Sequence, residues 1–334
     1  MRRDLAERFT PRPRPGFTVL ELLVSVAIIG LLFALILPAV AQVRRASQRL
    51  DCSNRLRQLA LAASNYQTDW RVYPKGGQDN DRYIFHVLLP YMENTAVADR
   101  VEQEGVGGFR SASLPEFVCP ADPETGPVKG YLNYFWNDGV GQSARLAGML
   151  THLKFPDHDR GRHLTPASVS DGLSDTAMMS ERLLLYPEST IPPVRETQPS
   201  DGESRPLRFV WYLDRRYSRG GEMAEFRNAC RTKRVGVTPH GITGPKVPWW
   251  DALSQYDHSM APNSPGCYAG PPPTTHGEFS DLQFGRLLPA SSLHDGGVNV
   301  AGCDGAVRFV SEFVNGDTWA AFGTRAAGDL VADF

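Results

Sequence analysis

Cysteine and net charge are both scarce in this sequence, and each shortage excludes a class of protein. Five of the 334 residues are cysteine, too few for a small fold held together by disulfides. The 35 basic and 37 acidic side chains nearly cancel to a formal charge of −2, so the chain lacks the basic excess of a nucleic-acid-binding protein. A mean hydropathy of −0.31 excludes a membrane protein with many spans.

The short signatures of common enzyme classes are missing as well. The sequence has no G-x-S-x-G elbow, no H-E-x-x-H pair and no G-x-x-x-x-G-K-[ST] loop. His294, Asp295 and Asp304 are residue types that a hydrolase uses, but the glycines beside them better fit a tight turn that leads into a strand. We therefore expect no enzymatic activity and no cofactor.

One long apolar run stands out against this polar background. Residues 17–37 contain a single charged side chain, Glu21, and as a helix they span about 31 Å. This length matches the hydrocarbon core of a bilayer, which is about 30 Å thick. The run follows a basic leader, residues 1–16, with five arginines and two acidic residues. The pattern predicts a single membrane-spanning helix over residues 17–38.

Three interpretations of this segment compete. A cleaved secretory signal is favoured by the small residues at 39–41, but its apolar region is normally shorter and carries no carboxylate. A plain membrane anchor leaves Glu21 unexplained, since a carboxylate inside a span is costly and is functional by default. The third interpretation explains Glu21 and depends on the residues just before the span.

The run Gly16-Phe17-Thr18-Val19-Leu20-Glu21 resembles the cleavage and methylation signature of type IV prepilins and type II secretion pseudopilins. The resemblance implies that a prepilin peptidase and N-methyltransferase cuts between Gly16 and Phe17 and methylates Phe17. It also implies that Glu21 and Pro38 belong to a helix that assembles with other pilin-like subunits. The peptidase acts on the cytoplasmic side, which places the helix in the inner membrane bilayer and the rest of the chain in the periplasm or at the cell surface.

The helix is predicted to continue beyond the membrane over residues 39–68. Apolar residues recur there at spacings of three and four, with arginines mostly between them. Residues 69–334, the head, follow this helix. The whole chain has 31 glycines and 26 prolines, and this content favours a loop-rich fold over a helical bundle.

The chain from the second half of the helix onward resembles the bacterial family called domain of unknown function 1559. The matching runs occur in the order of that family, although Asp175 stands where the family usually has Asn. They are Asp51-Cys52-Ser53-Asn54, Leu88-Leu89-Pro90-Tyr91, Phe117-Val118-Cys119-Pro120, residues 170–176, residues 294–300 and Asp304-Gly305. Since the role of that family is not established, the resemblance implies an architecture rather than an activity.

The expected fold is α+β, with the long N-terminal helix against an antiparallel β-sheet. The clearest element is a hairpin over residues 298–310, with Asp304-Gly305 at its turn. Further strands are predicted within residues 129–136, 177–185 and 207–213, and a helix within residues 83–104. Residues 216–280 are rich in glycine and proline and are predicted to form a long loop insertion.

The cysteines lie where disulfides persist, outside the membrane. Cys230 and Cys267 flank part of the insertion and are predicted to pair. Cys52 and Cys119, both in runs that match the family, are a second candidate pair. Cys303, in the apolar hairpin, is expected to be a buried free thiol.

Metal binding has only weak candidates in the sequence. Asp171 and Asp175 offer the hard oxygen ligands that calcium prefers, but no EF-hand loop is complete, and Asx turns explain both residues better. The sequence as a whole favours a non-catalytic pseudopilin or pilin subunit. The alternative is a membrane-anchored binding protein whose head holds a glycan or another ligand.

Overall fold

The computed structural model describes a long helix and most of an α+β head. The described residues are 18–74, 84–104, 108, 112–123, 132–140, 148–149, 163–183, 207, 210–213, 215, 217, 222–232, 236–237, 255–269 and 286–329. The chain divides into two compact units, Met1–Ser47 and Gln48–Phe334. Gly16 and Phe17 lie outside the described residues.

Helix α1, Val19–Trp70, has 52 residues and belongs in part to each unit. Pro38 lies inside the helix and does not end it. The predicted end at residue 68 is two residues short of the observed one. In the second unit the buried positions of α1 recur at helical spacing, because one face packs into the core of the head. They are Cys52, Leu56, Leu59, Ala60, Ala62 and Ala63.

The main sheet has five strands in the order β5-β1-β2-β8-β9 and is mostly antiparallel. The α+β class is confirmed, but one pair in this sheet, β1 with β5, is parallel, which the sequence did not predict. The neighbouring pairs β1–β2, β2–β8 and β8–β9 are antiparallel. The strands are β1 Tyr134–Asn137, β2 Ala177–Glu181, β5 Gln255–Tyr256, β8 Gly297–Gly302 and β9 Val307–Ser311.

The predicted hairpin is confirmed as β8 and β9. Ala301 faces Val307 across the pair, and the turn between them holds Asp304 and Gly305. Gly305 has φ +80°, a conformation that favours glycine. One carboxylate oxygen of Asp304 accepts a hydrogen bond from the Ala306 N–H at 3.0 Å, which closes the turn.

A second sheet occupies part of the predicted loop insertion. Its strand order is β4-β3-β6-β7, and helix α3, Met223–Thr232, contributes to the same apolar cluster. The strands are β3 Val210–Tyr212, β4 Gly236–Val237, β6 Gly266–Tyr268 and β7 Arg286–Leu287. Residues 216–280, predicted as a long loop insertion, therefore also contain regular elements, α3, β4, β5 and β6. Phe226, Ala229 and Cys230 lie on one face of α3 and are buried in that apolar cluster.

Shorter helical segments lie between α1 and the first strand, among them the 3₁₀ turn Pro115–Phe117. The predicted helix over residues 83–104 is split into a 3₁₀ helix, His86–Met92, and helix α2, Thr95–Glu104. Pro90 lies in the 3₁₀ segment, and an interior proline disfavours a continuous α-helix because it lacks the N–H donor and its ring clashes with the preceding turn. Glu93 follows with φ 60°, which separates the two helices.

The end of the head is organised around His258, which is buried against helix α4, Gly316–Gly323. Its ring stacks on Trp319 with a centroid distance of 3.8 Å. Nδ1–H donates to the Trp319 carbonyl oxygen at 2.7 Å, so Nε2 accepts from the Tyr256 hydroxyl at 3.0 Å. Burial lowers the pKa of His258 to about 3, and the imidazole is neutral in the native state.

We expect this histidine to make the protein sensitive to acid. Because the unfolded chain protonates His258 near pH 6.5 and the native chain only near pH 3, stability is lost as pH falls through that window. The free energy of unfolding should fall by up to about 1.4 kcal/mol per pH unit. Denaturant unfolding at several pH values, beside His258→Gln, measures this contribution. Asp257, whose pKa is raised by burial, is present in both proteins and cancels in the difference. Equal pH slopes for the two proteins would contradict the assignment.

Candidate functional site

The first turn of α1 holds Glu21 in a small hydrogen-bonded motif. Both the N–H and the hydroxyl of Thr18 donate to Glu21 Oε2, at 2.9 and 2.8 Å, and the Glu21 N–H donates to Thr18 Oγ1 at 3.2 Å. Thr18 thereby caps the helix, and the carboxylate lies at the helix N-terminus, where negative charge is favourable. Both bonds from Thr18 use the same carboxylate oxygen.

The helix beyond Glu21 presents apolar side chains on every side. Its large apolar residues from Val19 to Val43 are 50–76% exposed. A soluble protein would bury such a surface, whereas a bilayer or neighbouring helices cover it in a membrane protein. Helix α1 is long and apolar enough to cross a membrane. The exposed residues therefore form a surface suited to lipid and to helix packing.

The structure brings together both cysteine pairs that the sequence singled out. Cys52 of α1 is bonded to Cys119, with a Cα–Cα distance of 5.1 Å, and Cys230 of α3 is bonded to Cys267 of β6, at 5.8 Å. Cys303 is a buried free thiol, and burial raises its pKa. Each disulfide thus links a helix to another part of the head.

Disulfide mapping checks this connectivity. Non-reducing peptide maps should contain Cys52 linked to Cys119 and Cys230 linked to Cys267. Because the Cys303 thiol is buried and its pKa is raised, it should react with an alkylating reagent only after denaturation. A Cys303→Ser protein should then take up no reagent at all without reduction.

Loss of either disulfide should lower the free energy of unfolding by roughly 2–4 kcal/mol. Free Cys230 and Cys267 in normally exported protein would contradict the pairing.

A buried polar cluster lies at the end of β2, centred on Glu181. His294 Nε2–H donates to Glu181 Oε1 at 3.2 Å, and both side chains are almost fully buried. Asn299 of β8 binds the same carboxylate twice, through its N–H to Oε2 at 2.8 Å and its side-chain amide to Oε1 at 2.9 Å. Buried carboxylates require such partners, so the cluster is fixed in position.

The Cys52–Cys119 disulfide borders this cluster. Cys119 Sγ lies 3.7 Å from His294 Nε2. One potential ligand atom from each of Cys52, Cys119, Glu181 and His294 lies within 4.8 Å of the other three. Side chains from α1, from the segment after Pro115–Phe117, from β2 and from the loop before β8 therefore converge at one point.

The hydrolase-like residues of the sequence do not assemble into a catalytic group within the described residues. His294 is paired with Glu181, which sequence reasoning missed. Asp304 instead closes the hairpin turn and lies 3.6 Å from the Arg308 guanidinium. The missed residue had no local signal, since 113 positions separate Glu181 from His294.

The weak calcium candidates have structural roles of their own. The Asp171 carboxylate accepts hydrogen bonds from the Ala327 and Gly328 N–H groups at 2.8 and 3.0 Å and thus anchors the segment after α4. The Asp175 N–H donates to the Gly172 carbonyl oxygen at 3.3 Å within a tight turn. Among the described residues, neither carboxylate belongs to the group of converging ligand atoms.

Two protein-family models match the chain. The prokaryotic N-terminal methylation motif matches residues 12–37, which include Gly16, Phe17 and Glu21. The family described as protein of unknown function (DUF1559) matches residues 41–317. No curated protein and no solved structure matches the chain. The motif and the apolar helix define a prepilin-type, membrane-anchored protein with an extracellular head. The chain belongs to the DUF1559 family.

Proposed function

We propose that the protein is a non-catalytic pilin-like subunit that assembles, after cleavage and methylation, into a type II secretion pseudopilus or a type IV pilus-like filament. The proposal depends on the position of Glu21, in the first turn of an exposed apolar helix and inside the methylation motif. A carboxylate in a membrane span is costly, and a cation from another chain would stabilise it by pairing with it.

Cleavage between Gly16 and Phe17 would create that cation. The new α-amine has a pKa of about 7.7–8.0 and is mostly protonated at neutral pH. Glu21 lies one helical turn from the new N-terminus, and a carboxylate accepts hydrogen bonds at both oxygens. Thr18 occupies one side of Oε2, so we place the amine of a neighbouring subunit against Oε1. The exposed apolar residues around Glu21 supply the helix-to-helix contact.

The polar cluster around Glu181 supports a head without catalysis. A catalytic acid or base must reach its substrate, but Glu181 and His294 are buried and bonded to each other and to Asn299. The proposed location is the inner membrane, with the head in the periplasm or at the cell surface and other pilin-like subunits as partners.

Mass spectrometry of the mature N-terminus tests the processing step. The chain isolated from membranes should begin at Phe17 and carry one additional methyl group. Gly16→Leu should keep the leader, because a bulky side chain blocks the close approach of a peptidase to the backbone. The matched control is Gly30→Leu, since a side chain at Gly30 meets no atom within 4 Å. A mature N-terminus at Gln42 would mean ordinary secretory cleavage and would overturn the proposal.

A further inference from the structure

Cys52, Cys119, Glu181 and His294 converge where α1, β2 and the loop before β8 meet, and this cluster supports an inference beyond assembly. We propose that, when the Cys52–Cys119 disulfide is reduced, Cys52, Cys119, His294 and Glu181 bind one divalent zinc-class cation. The disulfide and the cation are then alternative cross-links at the same place in the fold.

The donor set suits such a cation. Cysteine thiolates, histidine nitrogens and glutamate oxygens are all ligands of zinc in proteins. Metal–ligand bonds of about 2.0–2.3 Å in a tetrahedron separate neighbouring ligand atoms by roughly 3.3–3.8 Å. Cys119 Sγ and His294 Nε2 lie 3.7 Å apart, and His294 Nε2 and Glu181 Oε1 lie 3.2 Å apart. The four ligand atoms already lie within 4.8 Å of one another, and the two bonded sulfur atoms must separate to form the tetrahedron.

The ligands are already held by a shell of hydrogen bonds. The Cys119 N–H donates to Asn133 Oδ1 at 2.9 Å, and the Cys52 carbonyl oxygen accepts from the Tyr134 hydroxyl at 3.1 Å. The Asn299 N–H holds Glu181 Oε2 at 2.8 Å, and the Asn299 side-chain amide holds Oε1 at 2.9 Å, 3.2 Å from His294 Nε2. Outer partners of this kind orient metal ligands and raise metal affinity, so little reorganisation is needed on binding.

The charges of the ligands, the cation and a nearby arginine nearly cancel. Two thiolates and the Glu181 carboxylate carry three negative charges, and the cation supplies two positive ones. Arg55 lies close to this site, because its Nη1 donates to the carbonyl oxygens of Pro115 and Val118, just before Cys119. Its guanidinium offsets the remaining negative charge. With four protein ligands and almost no solvent exposure, the site is of the closed, structural kind.

The redox step is a two-electron exchange. A dithiol gives two electrons and two protons to the disulfide, which becomes two thiols while the dithiol is oxidised to its own disulfide. With a phosphine as reductant, water supplies the two protons and the oxygen atom of the phosphine oxide. Cation binding then releases both thiol protons. The neutral His294 ring moves its proton from Nε2 to Nδ1, so that Nε2 donates its lone pair. Loss of two electrons to a disulfide oxidant reverses the sequence and expels the cation.

Cobalt binding to the full-length protein in detergent tests the proposal. After reduction with a phosphine and removal of metal, Co²⁺ should give the intense visible bands of a tetrahedral site and a thiolate-to-cobalt charge-transfer band, at one ion per chain. Zn²⁺ should abolish both signals. The oxidised protein should give neither, because its sulfur atoms are bonded to each other.

Matched variants identify the site. Cys230→Ala/Cys267→Ala should keep the cobalt spectrum, whereas Cys52→Ala/Cys119→Ala should lose it. Glu181→Gln and His294→Ala should each weaken binding by more than about 100-fold, beyond the loss that outer partners cause. Near-ultraviolet circular dichroism should show a folded head in the presence of the cation. A reduced protein that stays unfolded with cobalt, or a spectrum that survives in Cys52→Ala/Cys119→Ala, would overturn the proposal.

Discussion

Glu21→Val is expected to abolish assembly while leaving cleavage after Gly16 largely intact. The substitution removes the one charge in the apolar segment, so insertion into the membrane becomes easier. The α-amine of a neighbouring subunit then has no carboxylate partner in a poorly solvated environment. We expect the yield of assembled subunits to fall by more than about tenfold, measured by shearing of filaments or by cross-linking in membranes.

Two further variants separate charge from shape in this experiment. Glu21→Gln keeps the size of the side chain and still accepts from Thr18, but it loses the charge and should assemble almost as poorly. Ser25→Ala removes only the hydroxyl that donates to the Glu21 carbonyl oxygen at 2.7 Å and should assemble normally. Normal assembly by Glu21→Val would refute the charge pairing even if the N-terminus were processed as expected.

Gly297→Ala is expected to destabilise the head strongly. A β-carbon at Gly297 would overlap the Val310 carbonyl oxygen on β9 and would lie 3.1 Å from the Phe309 ring. The obstacle is backbone in the paired strand, which cannot rotate away as a side chain does. We expect the free energy of unfolding to fall by about 3 kcal/mol, measured by denaturant unfolding followed through tryptophan fluorescence.

The same substitution at two other glycines provides the controls. Gly305→Ala meets no atom within 4 Å but retains φ +80°, so only backbone strain remains and about 1 kcal/mol should be lost. Gly316→Ala lies at the start of α4 in open space and should be neutral or stabilising. If Gly297→Ala were no worse than Gly305→Ala, the β8–β9 pairing would be looser than the structure has it.

The predictable parts of the fold are those with a local signal. Helix α1 follows from the apolar run and from the spacing of apolar residues after it, and the β8–β9 hairpin follows from the Asp304-Gly305 turn. The parallel pairing of β1 with β5 joins Trp136 to Gln255, and no local pattern encodes a contact across that distance in the sequence. The pairing of the second sheet was missed for the same reason, although its strand β3 lies within the strand predicted at 207–213.

The candidate site divides in the same way. Gly16, Phe17 and Glu21 form one continuous motif and were identified directly from the sequence. Glu181 lies in a short buried strand and looks like any strand residue until β2 and β8 pair and bring it to His294. The cysteine partners were proposed from their places in the chain, but proximity to His294 required the fold.

The two disulfides determine how the head would carry tension. A force applied to the chain at Gln48 is transmitted to Cys52, four residues later, and through the disulfide to Cys119. The residues between Cys52 and Cys119 therefore bear no load. The second bridge removes the stretch between Cys230 and Cys267 in the same way. With sequence separations of 67 and 37, these bridges withhold roughly 230 and 125 Å of extended chain. Even if every strand of the head separated under force, the oxidised chain would extend much less than the reduced one.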